Sequence, residues 1–194
     1  MTSYNLYSYC GGDPINNTDK TGHSPKGFIV QLFASVYSYA YMAVASNFDE
    51  DIRSDMDAIG WNPFNANEDI VLASRKVSFY KGVPVFQVSG MGGSMSFGII
   101  LFDKEQGVEV LKHERGHNTQ LMCMGISDYL IQISIPSMWK NDDDTPWELS
   151  ASMLGESALA NGYSQQQKKQ AYNYFIRSTI PIVNCYNILQ YVFY

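Results

Sequence analysis

The chain of 194 residues predicts an α+β fold, and three observations lead there. Short apolar runs of strand length cluster between positions 77 and 102. Longer segments on both sides repeat apolar residues at three- and four-residue spacing. Gly, Pro, Asn and Asp punctuate the joins between them.

In chain order, Lys26 to Ala45 reads as a mostly apolar helix. Phe48 to Phe64 reads as an acidic loop carrying Asp51, Asp55 and Asp57. Asn67 to Lys76 predicts a short helix capped by Asn67. Val77 to Tyr80 and Val83 to Val88 predict a hairpin around Lys81-Gly82. Gly90-Met91-Gly92-Gly93 leads into a strand from Met95 to Phe102. Glu105 to Met124 contains no proline and predicts a helix ending at Gly125. A connection through Pro136 reaches the acidic turn Asn141-Asp142-Asp143-Asp144, best read as solvated rather than as a calcium loop. Thr145 as cap and Pro146 as first residue then open another helix, with an apolar stripe of Trp147, Ala151, Leu154, Ala158 and Leu159. Ser164 to Ser178 predicts a third helix of this half, and Ile180 to Tyr194 a final apolar helix or strand.

Composition narrows the function. Charged residues are 16% of the chain and the net charge is −6, which argues against a nuclease or another polyanion binder. Cys10, Cys123 and Cys185 are odd in number and lack metal-like pairing, so no disulfide framework is expected. Cys123 reads as a small buried hydrophobe. No secretory signal opens the sequence. Neither Phe28 to Ala45 nor Ile180 to Tyr194 holds 18 uninterrupted apolar residues, so membrane contact is not expected.

The stretch that carries chemistry is His113-Glu114-Arg115-Gly116-His117. Residues four apart share a helix face, so both imidazoles can meet one metal ion. Glu114, one step around the helix, is placed to act as general base toward a water on that ion. The chain has only 3 His, and two of them fall at this spacing. Gly116 inside a helix costs about 1 kcal/mol relative to Ala, which makes sense where another element packs close.

A catalytic zinc needs a third protein ligand. Glu148, at the start of the next helix, is the best candidate. Glu156, two turns on along the same expected helix, and Asp128 are the alternatives. His23 lies far upstream in a polar segment. Among the 14 Tyr, Tyr163 is a candidate donor to a developing oxyanion.

His113-Glu114-x-x-His117 with a glutamate on a downstream helix resembles the gluzincin group, the thermolysin-like metallopeptidases. The resemblance implies a minimal zincin-like domain, Zn2+ held by His113, His117 and Glu148, and Glu114 as catalytic base. It also implies that the strand Met95 to Phe102 lies beside the substrate. Four residues after the ligand glutamate that group commonly has an Asp bonded to a metal-binding histidine. Here Ser152 stands there, a neutral group that can still hydrogen-bond an imidazole.

The opening Tyr4-Asn5-Leu6-Tyr7-Ser8-Tyr9-Cys10-Gly11-Gly12-Asp13-Pro14 through Asp19-Lys20-Thr21-Gly22-His23 resembles the closing segment of the Rhs/YD-repeat core, with Lys20 where that family usually has proline. It implies a leader over 1–23 and a variable toxin domain over 24–194. Phe79-Tyr80-Lys81-Gly82, Ser96-Phe97-Gly98, His113 to His117 and Trp147-Glu148 together resemble the metallopeptidase tips found in this setting. The expectation is a secreted effector delivered into a target cell, with a protein substrate, a cognate immunity protein and the Rhs shell as partners. A different class is also open: a non-catalytic effector that disrupts membranes or binds a target, with a structural metal. A third is the same scaffold hydrolysing a non-peptide amide.

Overall fold

The computed structural model describes residues 25–74, 76–91, 94–103, 105–140 and 144–179. It is an α+β protein, as the sequence predicts. The chain divides into two compact units. One holds residues 30–119 and 151–163. The other holds, among the described residues, 25–29, 120–140, 144–150 and 164–179.

The first unit is built on a four-stranded mixed sheet of order β1-β2-β4-β3. β1 (Val77–Tyr80) and β2 (Val83–Val88) form the expected hairpin, with Tyr80 opposite Val83. Lys81 and Gly82 turn it, both at positive φ. β4 (Ile100–Asp103) runs parallel to β2, and β3 (Met95–Ser96) closes the sheet antiparallel to β4.

This corrects the single strand expected from Met95 to Phe102. Gly98 adopts φ 75 and the Phe97 N–H bonds the Ile99 carbonyl at 2.9 Å, so the run folds back on itself. β4 then lies inside the sheet with both neighbours taken, and the edge is β3. Any further strand on this side of the sheet would pair with Met95–Ser96.

Both faces of the sheet are covered. Val77 and Phe79 join Met42, Ile52, Met56 and Ile59 from α1 (Pro25–Ala45), α2 (Glu50–Ala58) and the turn after it. On the other face Tyr80, Val83, Val85, Ile100 and Phe102 meet Val71 and Leu111, the latter from α4 (Val108–Met124). Side chains alternate along each strand, so one hairpin feeds two cores.

α2 is a second correction, since Phe48 to Phe64 was expected to be a loop. Asp49 caps it by accepting from the Asp51 and Ile52 N–H groups at 3.1 and 3.3 Å. Glu50 and Asp51 favour its positive end. Ile52, Met56 and Ile59 bury at helical spacing beneath the acidic surface. Lys76, 2.6 Å from Asp49, holds that carboxyl below its ordinary pKa. α3 (Glu68–Ala73) has the expected cap, the Asn67 side chain accepting from the Ile70 N–H.

The second unit is helical among the described residues. Gly125 (φ 84) ends α4, and α5 (Ile126–Tyr129) follows. The chain then passes through a π turn (Leu130–Ser134) into α6 (Ile135–Trp139). The connection expected through Pro136 is therefore helical. Pro136 brings no N–H to the Gln132 carbonyl four residues back, and its ring crowds that turn. A π turn widens the helix at this point. The Tyr174 hydroxyl donates to the Gln132 carbonyl instead, at 2.8 Å.

α7 (Pro146–Leu154) and α8 (Gln165–Ser178) complete the fold. Ser164 and Gln167 form a capping box for α8. α7 ends sooner than the sequence suggests. Gly155 and Glu156 turn out of it, Glu156 at φ 61, and Ala158–Gly162 form a short 3-10 turn capped by Ser157. The leader over 1–23, with His23 and Cys10, lies outside the described residues. So do Asp142, Asp143, Cys185 and the stretch from 180 to 194.

Candidate metal centre

The site is built on α4 and α7, which approach at backbone contact. A Cβ added to Gly116 would stand 1.8 Å from the Ala151 carbonyl oxygen, and one on Gly155 1.8 Å from that of Lys112. Only hydrogen fits at these two positions, which answers why a glycine interrupts the metal-binding motif. In the second unit the Gln120 amide, fully buried, donates to the Trp147 carbonyl at 2.9 Å and to the Ser150 hydroxyl at 2.8 Å.

His113 and His117 face each other as their spacing requires. Their Nε2 atoms are 3.1 Å apart and the rings stand edge to face, centroids 4.7 Å apart. Ser152 lies 2.8 Å from Nδ1 of His113. A ring proton donated from Nδ1 to that hydroxyl leaves the Nε2 lone pair for an ion. A serine hydroxyl thus stands in contact with His113 where the gluzincin resemblance leads one to expect an Asp.

One ligand atom each from His113, His117 and Glu148 lies within 4.8 Å of the others, and this group can hold a metal ion. The donors fit a tetrahedral divalent ion. Such an ion, with metal–nitrogen distances of about 2.0–2.1 Å, holds two ring nitrogens about 3.3 Å apart. The observed 3.1 Å is close to that separation. His117 and Glu114 are both buried.

The other candidates stand apart from the group. Glu156, past the end of α7, is exposed and lies 3.6 Å from the Lys81 ammonium. Asp128 is on α5 and does not join the group. Tyr163 follows the 3-10 turn, its N–H directed to the Ala160 carbonyl. Cys123 is buried as expected, and burial pushes its thiol pKa up to about 11.

Three side chains that sequence reasoning passed over support the site. Asn118, buried directly after His117, donates to Ser96 on the edge strand. Gln120 joins α4 to α7. Ser137 on α6 hydrogen-bonds Oε1 of Glu148. Asn118 and Gln120 were findable as amides next to the motif on a helix with buried faces. Nothing local marks Ser137.

No protein-family model, no curated protein and no solved structure matches this chain.

Proposed function

We propose that this chain is a zinc-dependent metallopeptidase that forms the effector tip of a secreted Rhs-type polymorphic toxin. The observation that carries the enzymatic part is the pair of Nε2 atoms 3.1 Å apart with the Glu148 carboxylate in ligand range. His113, His117 and Glu148 hold the ion. Zinc bound there acts as a Lewis acid, lowering the pKa of its water and polarising a scissile carbonyl. Glu114 takes the proton from the attacking water and returns it to the leaving amine. Ser152 keeps His113 in the tautomer and orientation that ligation needs. β3 offers an extended substrate its backbone groups.

The toxin part is supported by the resemblance of positions 4–23 to the end of an Rhs core. A protein in the target cell is the substrate under this reading, and an immunity protein and the Rhs shell are the partners.

Elemental analysis of the purified protein should give about one zinc per chain. Glu114→Gln should retain that zinc and lose proteolysis and toxicity by 100-fold or more, as removal of a general base does. Full activity in Glu114→Gln, or a chain that takes up no divalent ion, would overturn the assignment.

One observation favours a second reading, a non-catalytic effector with a structural metal. α1 turns Phe33, Val36 and Tyr37 outward, the first and last more than two-thirds exposed, and residues 27–45 are long and apolar enough to cross a membrane. Leakage of dye from liposomes that survives chelation would support it over the peptidase.

A further inference from the structure

Glu148 is held from outside its own helix. Ser137 stands four residues after Ile133, and its single hydroxyl proton has two acceptors in reach, the Ile133 carbonyl at 2.8 Å and Oε1 of Glu148, of which a charged carboxylate is the stronger. The Ile133 carbonyl belongs to the π turn that Pro136 accompanies. The Tyr174 hydroxyl pins that turn through the neighbouring Gln132 carbonyl. Trp147, beside Glu148, packs its ring 6.0 Å from that of Tyr174. Tyr174 therefore braces both the turn behind Ser137 and the residue beside Glu148.

A carboxylate can meet a metal ion through one oxygen or two, and it can rotate between these modes. A hydroxyl proton on one oxygen selects the one-oxygen mode and fixes the carboxylate plane. We propose that Ser137 is the positioning residue for Glu148, occupying Oε1 so that Oε2 is presented to the ion. The inference rests on the metal-site reading above. Two serines then stand behind the ligands, Ser152 behind His113 and Ser137 behind Glu148. Neither hydroxyl adds charge to the site.

The test compares Ser137→Thr with Ser137→Val, side chains of nearly the same shape that differ by the hydroxyl. Zinc affinity is read by competition with a chromophoric chelator, and coordination by the visible absorption of the Co2+-loaded protein. The valine variant should bind zinc about 10–100-fold more weakly and shift the Co2+ bands, with threonine close to wild type. Glu148→Ala is measured alongside. If threonine and valine match wild type in affinity and spectrum while Glu148→Ala weakens binding, the role of Ser137 is refuted and the metal site stands. If Glu148→Ala also binds as wild type does, Glu148 is no ligand and the metal-site reading fails first.

Discussion

Helices α1 and α4 both bury polar side chains, and they put them to different use. In α1, Gln31 donates to the Gly98 carbonyl at 3.0 Å and Ser35 to the Gly82 carbonyl at 2.9 Å. Both acceptors are peptide groups of turns built on left-handed glycines. They fasten a helix to two turns. In α4, His113, Asn118 and Gln120 meet the side chains of Ser152, Ser96 and Ser150. Side-chain partners can be reoriented or shared with a ligand, and a fixed carbonyl cannot. Both helices mix the two kinds of contact, since Gln31 also donates to the Ser35 hydroxyl at 3.1 Å and Gln120 to the Trp147 carbonyl. What sets α4 apart is that its side-chain partners stand on other elements.

The strongest way to break this contrast is Gly116→Ala. Its methyl has no room against the Ala151 backbone, so α4 and α7 must separate. We expect a loss of about 3 kcal/mol or more in urea unfolding, with zinc binding impaired in what remains folded. Gly107→Ala, where a Cβ meets nothing within 4 Å, should be neutral or slightly stabilising.

Gln120→Leu comes next. It strips a fully buried donor from the α4–α7 contact and should cost about 1–3 kcal/mol. Gln31→Leu should cost about 1 kcal/mol and leave zinc affinity at the wild-type level. A Gln31 variant that weakened zinc binding would show that α1 takes part in the site after all.

The smallest effect concerns Glu109, at the start of α4. The Ala158 N–H, then the Lys112 ammonium at 3.0 Å, hold its carboxyl below the ordinary glutamate pKa. A depressed carboxylate adds stability that is complete above its unfolded pKa and disappears as pH falls through the folded value. Stability should therefore decline on acidification below pH of about 4.5. Glu109→Gln should remove about 0.5 kcal/mol near neutrality and flatten that part of the acid limb, as seen in thermal melts across pH.

The local elements were the legible ones. The β1–β2 hairpin followed from Lys81-Gly82 between two apolar runs and α3 from its Asn67 cap, and α8 was expected over Ser164 to Ser178, where the structure adds the capping box. The misreadings share a cause. α2 was hidden because its acidic residues dominate the composition, although Ile52, Met56 and Ile59 keep helical spacing beneath them. The β3–β4 fold-back hinged on Gly98, one residue in an otherwise strand-like run. Glu156 was extrapolated along a helix that ends at Leu154, because nothing before Gly155 announces the stop.

By itself the sequence determined that His113, Glu114 and His117 share one helix and that its two imidazoles point the same way. Four-residue spacing on a 3.6-residue period is a local matter and needs no partner. Tertiary structure decided which hydroxyls stand behind the ligands. Ser137 on α6 and Glu148 on α7 are eleven residues apart in sequence, and Ser152 and His113 meet because two glycines let helices touch. Such meetings depend on packing distances of a few ångströms, and no periodicity in the chain encodes them.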